Sequence, residues 1–166
     1  FIECLLNPQR EAMIHIFFGE RAASKINDVP KETPKMDVKK AGIIGSGTMG
    51  GGIAMCFANI GIPVHIVDQD EENLKRGLSA IERNYKFMVD RGRMTEEQKE
   101  KTFGLITSGL SYDDISDVDI VIEAVYENLD LKLEIFKKLD ESVNENAILA
   151  SNTSGLDVDA LADCTN

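Results

Sequence analysis

The chain has 166 residues, of which 43% are hydrophobic and 28% are charged, a balance typical of one globular domain with a buried core. Its formal net charge of −11 argues against a nucleic-acid partner, because affinity for a phosphate backbone depends largely on clustered Lys and Arg. No run of the sequence approaches the ~18–20 apolar residues that a membrane span requires.

The first 40 residues differ from the rest of the chain. Asn7-Pro8 is a typical helix start and predicts a helix that runs to about Lys25. The apolar stripe of this helix is wide for a surface helix, so we expect it to have a partner. Residues 27–40 are rich in Pro, Lys and acidic residues and are expected to form an exposed linker. Because the chain begins without Met, we interpret it as an excised fragment, and we expect any targeting signal to lie outside it.

From residue 41 onward, strand patterns alternate with helix patterns. Strands are predicted at residues 41–44, 64–67, 105–107, 119–125 and 147–150. Helices are predicted at residues 48–60 and 129–143. A further pair of helices is predicted within residues 70–103, the second of which begins with a Thr95/Gln98 capping box. Strands separated by helices imply a parallel sheet. The expected fold is therefore α/β: a Rossmann-type, doubly wound domain over residues 41–166, with a helical insertion after strand two and an N-terminal linker helix in residues 1–40.

The cysteines and histidines predict neither a metal site nor a catalytic centre. The three cysteines are far apart and follow no metal-ligand spacing, and Cys56 is expected in the core as a small residue of an apolar helix. His15 falls in the N-terminal helix. His65 falls within the second strand, where we expect it to pack against its neighbours.

The loop at residues 45–50 reads GSGTMG, which is the motif G-x-G-x-x-G between a predicted strand and a predicted helix. Gly45 permits a tight turn, Gly47 leaves room for a pyrophosphate, and Gly50 lets the helix pack on the strand. The N–H groups at the start of the helix would face the phosphates. The cofactor-binding residues expected here are Gly45, Gly47, Thr48, Met49 and Gly50. Flavin enzymes and some methyl-transfer enzymes share a similar first unit.

Asp68 ends the second predicted strand, where a carboxylate can accept hydrogen bonds from the hydroxyls of an adenosine ribose. The same carboxylate would repel a 2′-phosphate. Gln69 and Asp70 follow it, and no Arg stands directly beside it. The pattern therefore favours NAD over NADP.

Four separated segments narrow the class of protein: residues 45–52 (GSGTMGGG), 67–68 (VD), 123–128 (EAVYEN) and 151–154 (SNTS). In this order and spacing they resemble the NAD-binding domain of L-3-hydroxyacyl-CoA dehydrogenases, over about residues 40–166. Residues 1–40 resemble the connecting helix and linker of multifunctional fatty-acid β-oxidation enzymes, in which an enoyl-CoA hydratase/isomerase module precedes the dehydrogenase. The segment NTSGLDVDALA resembles the peroxisomal bifunctional type.

The resemblance implies a role for several residues by position. It places Asp68 and Gln69 at the adenosine ribose, Glu127 and Lys132 near the nicotinamide ribose, Asn152 and Ser154 in a turn facing the nicotinamide and the 3-oxygen of the substrate, and Arg91 near the adenosine phosphates of coenzyme A. Plainer alternatives remain open at this point. Glu127 could cap the helix that follows it, Lys132 could be a solvated helix residue, and Arg91 could be surface charge.

The resemblance also implies an activity, namely the NAD-dependent oxidation of L-3-hydroxyacyl-CoA to 3-ketoacyl-CoA. In the family, the general-base His and the Glu that polarises it lie in a segment beyond the SNTS turn, which here means beyond Asn166. We therefore expect this chain alone to bind NADH without turnover.

Other implications of the resemblance concern partners and location. The resemblance implies an acyl-CoA substrate and a peroxisomal location, with the mitochondrial matrix as the alternative. It is also compatible with a homodimer. Two rival functions stay open, which are a β-hydroxyacid dehydrogenase with a G-x-G-x-M-G loop and a non-catalytic nucleotide-binding module.

Overall fold

The computed structural model describes residues 1–23, 25–26, 29–30 and 32–165, and the chain divides into two compact units, Phe1–Met36 and Asp37–Asn166. No helix in these ranges is both long and apolar enough to cross a bilayer.

The first unit contains two helices, α1 (Ile2–Leu6) and α2 (Gln9–Ala23). The side chain of Asn7 accepts a hydrogen bond from the N–H of Gln9 at 2.9 Å, so the predicted helix start is confirmed. Helix α1 was not predicted, and α2 ends earlier than expected. No residue of α2 is buried, and the expectation of a partner for its apolar stripe stays a prediction. Within the predicted linker, Asn27, Asp28 and Lys31 lie outside the described residues, and the described remainder contains no helix or strand.

The second unit is built on a parallel sheet in the order β3-β2-β1-β4-β5, which confirms the Rossmann-type fold. The strands are β1 (Ala41–Ile44), β2 (Val64–Val67), β3 (Ile106–Gly109), β4 (Ile120–Glu123) and β5 (Ile148–Ser151). All five lie where strands were predicted. The third and fifth begin one residue later than expected, and the fourth is shorter at both ends, because pairing with the neighbouring strand rather than apolarity sets where a strand stops.

Five helices and one 3₁₀ turn (Tyr112–Ile115) join or follow the strands. The helices are α3 (Thr48–Asn59), α4 (Glu71–Asp90), α5 (Glu96–Phe103), α6 (Leu129–Ser142) and α7 (Val158–Ala162). Gly61 has φ +84° just after α3, as its predicted role of helix stop requires. The capping box of Thr95 and Gln98 is present at the start of α5. The 3₁₀ turn and α7 were not predicted, since segments of four and five residues are too short to show a helical period.

The core lies on both faces of the sheet, as a doubly wound fold requires. Successive strand residues point to opposite faces, so Ile43 belongs to a cluster with α3 and α4 while Ile44 belongs to a cluster with α6. This two-sided burial explains why β1 is buried throughout and reads as a continuous apolar run.

The expectation that Cys56 is a core residue is wrong, because its side chain is exposed. Helix α3 turns Gly50, Ala54 and Ala58 toward the sheet, and Cys56 lies on the opposite side of the helix. His65 is packed against its neighbours as predicted. Its side chain is 13% exposed, and its Nδ1 lies 2.8 Å from the hydroxyl of Thr107.

Candidate dinucleotide-binding site

A groove of about 960 Å³ opens at the carboxyl ends of β1, β2 and β4. The chain runs from β1 to β2 on one side and reaches β4 on the other, so the loops after β1 and β4 diverge and leave a space between them. Ligands of open α/β sheets bind at this type of switch point. The residues that line the groove come from the glycine loop and the start of α3, the ends of β1 and β2, one face of α4, the segments after β3 and β4, and one face of α6.

The three glycines of the loop have different surroundings, two of them close to neighbouring backbone and one open. Gly45 has φ +100°, and a Cβ there would lie 2.9 Å from the carbonyl oxygen of Ala124. A Cβ on Gly50 would overlap the carbonyl oxygen of Gly45 and lie 3.3 Å from the Ile43 side chain. Gly47, by contrast, has no atom within 4 Å of where its Cβ would be, and its backbone lines the groove. The loop is therefore closed toward the sheet and open toward a ligand.

Asp68 is tied to this loop through the neighbouring Ser46. Its Oδ2 accepts hydrogen bonds from the Ser46 N–H at 2.7 Å and from the Ser46 hydroxyl at 2.6 Å. Its Oδ1 accepts from the N–H of Gln69 at 2.8 Å. Burial raises the pKa of Asp68, but the hydrogen bonds from Ser46 and Gln69 outweigh it, and the net pKa lies below the usual value. The groove thus holds a charged carboxylate at the end of β2.

Helix α4 packs directly over the loop, which sequence reasoning missed. A Cβ on Gly77 would overlap the carbonyl oxygen of Ser46 and lie 2.7 Å from its Cβ. One turn earlier, the side-chain amide of Asn73 donates to Asp68 at 3.4 Å and to Asp70 at 2.6 Å. The only signal in the sequence is a glycine inside an otherwise helical pattern, which calls for a packing reason.

The other side of the groove is bounded by the segment after β4, and behind it lies a buried ion pair. The Nζ of Lys132 donates to both carboxylate oxygens of Glu123, at 2.7 and 2.8 Å, and both side chains are fully buried. Glu123 also accepts from the hydroxyl of Ser151 at 2.6 Å. Lys132 is therefore not a solvated helix residue. Sequence reasoning included Glu123 only as the first residue of the 123–128 segment and assigned it no role, because it reads as the polar end of an apolar strand.

Glu127 joins this ion pair to the turn after β5. Its Oε1 accepts from the Thr153 hydroxyl at 2.5 Å and from the Ser154 N–H at 3.4 Å, while its Oε2 lies 3.4 Å from the Nζ of Lys132. The hydrogen bond from Thr153 and the ammonium of Lys132 hold the pKa of Glu127 below its usual value. Helix α6 is capped instead by Asn128, whose side chain accepts from the N–H of Leu131. The interpretation of Glu127 as a helix cap is therefore wrong.

The predicted site residues fall into three places. Gly45, Gly47, Thr48, Asp68 and Gln69 line the groove. Gly50 is buried behind the loop, and Met49, which is 55% exposed, does not line the groove. Glu127, Asn152 and Ser154 lie together at the same edge of the sheet, where the N–H of Asn152 donates to the carbonyl of Glu123. Arg91 ends α4 away from the groove, with its guanidinium 4.2 Å from the Phe87 ring centroid. Neither histidine of the described ranges lines the groove. The cofactor and substrate contacts of these residues stay predictions.

A Gly-rich loop, an acid at the end of β2 and a groove at the switch point together define a dinucleotide-binding domain of the Rossmann type. A model of the 3-hydroxyacyl-CoA dehydrogenase NAD-binding domain matches residues 40–166. The chain belongs to this family, and its cofactor is NAD. The resemblance inferred from the four sequence motifs is confirmed.

Relatives from several organisms place this domain in longer proteins. The chain is 38% identical to the peroxisomal fatty acid beta-oxidation multifunctional protein AIM1 of Arabidopsis thaliana, over all of the chain and 23% of that protein. It is 35% identical to the fatty acid oxidation complex subunit alpha of a Psychrobacter strain, over 98% of the chain and 22% of that protein. The solved structure of (S)-3-hydroxybutyryl-CoA dehydrogenase PaaH1 from Ralstonia eutropha matches 78% of the chain and 46% of its own length, at 39% identity and a TM-score of 0.76. The chain therefore spans less than a quarter of the length of the curated relatives it matches.

The groove fits NAD on observations of this chain. The N-cap of α3, Gly47, makes no side-chain capping bond, so the first N–H groups of the helix are free to meet a pyrophosphate. The missing Cβ of Gly47 leaves the approach to these groups open. The charged Asp68 stands at the end of β2, within the same groove, to accept hydrogen bonds from ribose hydroxyls.

Proposed function

We propose that the whole protein oxidises L-3-hydroxyacyl-CoA to 3-ketoacyl-CoA in fatty-acid β-oxidation, and that this chain is the part that binds NAD. One observation supports this above all others. The glycine loop, Asp68 and the SNTS turn at residues 151–154 all lie at the carboxyl edge of one parallel sheet. A cofactor laid across that edge would have its adenosine over Asp68 and its nicotinamide toward the turn.

On the adenosine side, the proposed contacts are made by the loop and the end of β2. Gly45, Gly47 and Gly50, with the N–H groups of Thr48 and Met49, receive the pyrophosphate. Asp68 accepts from the ribose hydroxyls, with Gln69 beside it.

On the nicotinamide side, Glu127 faces the nicotinamide ribose. Asn152 faces the nicotinamide, and Ser154 contacts the 3-oxygen of the substrate. When bound, NAD supplies the acceptor for the hydride. Lys132 is fully buried, so we assign it to holding Glu127 from behind. Arg91 is proposed to meet the phosphates of coenzyme A, since it is exposed at the end of α4. We propose that the general base comes from another part of the whole protein, since His65, the histidine of the second unit, does not line the groove.

We also propose that residues 1–40 connect this domain to an enoyl-CoA hydratase/isomerase module in the parent protein. The support is that AIM1, similar over the whole chain, is called a multifunctional protein. The plant relatives are called peroxisomal or glyoxysomal, which favours a peroxisomal location over the mitochondrial matrix, although bacterial relatives are nearly as similar. A homodimer of the parent protein completes the proposal.

The test is NADH oxidation by the longer protein that contains this chain, assayed with acetoacetyl-CoA and with free acetoacetate. We expect turnover of the thioester and not of the free acid. Ser154→Ala should lower turnover, whereas Ser142→Ala, at the end of α6 and away from the groove, should not. Comparable use of free acetoacetate would favour a β-hydroxyacid dehydrogenase. NADH binding without turnover of either compound would favour the non-catalytic module.

A further inference from the structure

Glu123 and Lys132 are the only charged side chains that are buried in the described part of the chain. Taking two charges out of water is costly, and apolar residues of similar volume would often stabilise a fold as well or better. The pair nevertheless lies at the last residue of β4 and in the first turn of α6, next to the proposed ligand edge. Its location suggests a function beyond stability.

The carboxylate of Glu123 is fully engaged by donors from three directions. Oε1 accepts from Lys132 Nζ at 2.7 Å and from the Val125 N–H at 2.7 Å, and Oε2 accepts from Lys132 Nζ at 2.8 Å and from the Ser151 hydroxyl at 2.6 Å. The four bonds fix the end of β4, the start of α6 and the end of β5 relative to one another.

The network then continues from the buried pair to the surface. Lys132 Nζ lies 3.4 Å from Glu127, and Glu127 in turn accepts from the Thr153 hydroxyl and the Ser154 N–H. The backbone carbonyl of Glu123 accepts from the Asn152 N–H at 2.8 Å. Every residue of the 151–154 turn is thus bonded to Glu123 or to Glu127.

We propose that Glu123 is a positioning residue for the nicotinamide half of the cofactor site. It holds Lys132, which orients the carboxylate of Glu127, and it holds Ser151, which anchors the turn that carries Asn152 and Ser154. This inference rests on the proposed function, because it needs the nicotinamide to lie at that turn. It assigns no role to Glu123 on the adenosine side, where the bonds of the Asp68 carboxylate come from Ser46, Gln69 and Asn73 and not from this network.

A comparison of NADH with ADP separates a positioning role of Glu123 from a purely structural one. ADP carries the adenosine and pyrophosphate but lacks the nicotinamide half, so its binding should depend on the loop and Asp68 alone. The double variant Glu123→Gln/Lys132→Met removes both buried charges together, which avoids leaving one of them unpaired. Gln retains an oxygen that can accept from Val125.

Affinities for NADH and ADP should be measured by titration of the 166-residue chain, with a thermal melt to establish that each variant is folded. We expect the double variant to bind NADH about tenfold to a hundredfold more weakly, the scale of losing a hydrogen bond to a charged group, and to bind ADP unchanged. Glu96→Gln, which breaks an exposed ion pair with Lys99 outside the groove, should change neither affinity. Should the double variant fail to fold, Ser151→Ala removes one bond to Glu123 and should show a smaller loss confined to NADH.

Equal losses of NADH and ADP affinity, or no loss of either, would overturn the role of Glu123. If the unmodified chain bound neither NADH nor ADP, the proposed function itself would be overturned and the inference with it. The two failures are therefore distinguishable by the unmodified chain alone.

Discussion

Replacing Gly77 by Ala tests the contact between α4 and the glycine loop. The new Cβ would overlap the carbonyl oxygen of Ser46 and lie 2.7 Å from its Cβ, a separation below the 3.0 Å that real Cβ contacts respect. The Ser46 oxygen belongs to the backbone and the Ser46 Cβ is bonded directly to it, so rotation of a side chain cannot relieve the clash. Either α4 or the loop must move, and the loop carries the Ser46 N–H that donates to Asp68.

Two opposing effects set the expected free energy of unfolding. Overpacking in a well-packed region costs about 1–3 kcal/mol, and Ala in place of Gly inside a helix returns about 1 kcal/mol. The variant should therefore lose on the order of 1 kcal/mol, which corresponds to roughly 3–5 °C in melting temperature. Displacement of the loop should also weaken NADH binding by about tenfold, the scale of one disturbed hydrogen bond to a charged group.

Thermal melts and NADH titrations measure both effects. The control for stability is Gly52→Ala in α3, where no atom lies within 4 Å of the added Cβ, so this variant should gain about 0.5–1 kcal/mol of stability. Because Gly52 also lines the groove, it is not a control for NADH affinity. If Gly77→Ala were stabilised as much as Gly52→Ala and kept its NADH affinity, the contact between α4 and the loop would have no part in the site.

Ser46→Ala removes a side-chain donor to Asp68, so the pKa of Asp68 should rise toward its ordinary value of 3.8. The stability that a lowered pKa contributes above pH 3.8 scales with the shift, so the variant should be less stable than the unmodified chain at neutral pH and should lose less stability on acidification below pH 3.8. Carboxyl NMR titration measures the pKa, and an unchanged pKa would contradict the prediction. Burial lowers the pKa of His65 below 6.5, so the unfolded chain takes up a proton at this site before the folded chain does as pH falls. The free energy of unfolding should therefore decrease from pH 7.5 to pH 5. Urea titrations should show a flatter pH dependence for His65→Gln, and the same dependence in both proteins would contradict the assignment. A polypeptide of these 166 residues should bind NADH without oxidising it in the presence of acetoacetyl-CoA, because His65 does not line the groove. Robust turnover would contradict this prediction and would direct the search for a base to Ser154, Glu127 and His65.

The parts of the molecule that sequence reasoning predicted are those whose signals are local. The strand, loop and helix at residues 41–60 are adjacent in the chain. The φ of +100° at Gly45 is a backbone conformation that a glycine motif predicts. Asp68 could be placed because it ends the next strand along the chain.

The parts that were missed depend on contacts between distant segments. Gly77 matters because α4 returns over Ser46, and nothing near Gly77 in the sequence records that approach. Lys132 was predicted as a site residue, but its pairing with Glu123 was not. A strand-ending acid and a helical lysine are common at surfaces, and only the docking of α6 buries them together. Cys56 was misplaced because α3 is small and apolar around its whole circumference, so its sequence does not identify the side that faces the sheet.

We expect NAD to bind in the groove with its adenosine ribose at Asp68. The most direct measurement is a parallel titration of NADH and NADPH into the 166-residue chain and its Asp68→Ala variant. We expect the unmodified chain to prefer NADH, and we expect the variant to lose about 1–3 kcal/mol of NADH binding, the scale of a hydrogen bond to a charged group, together with most of that preference. Equal affinities of the unmodified chain for NADH and NADPH would contradict the account.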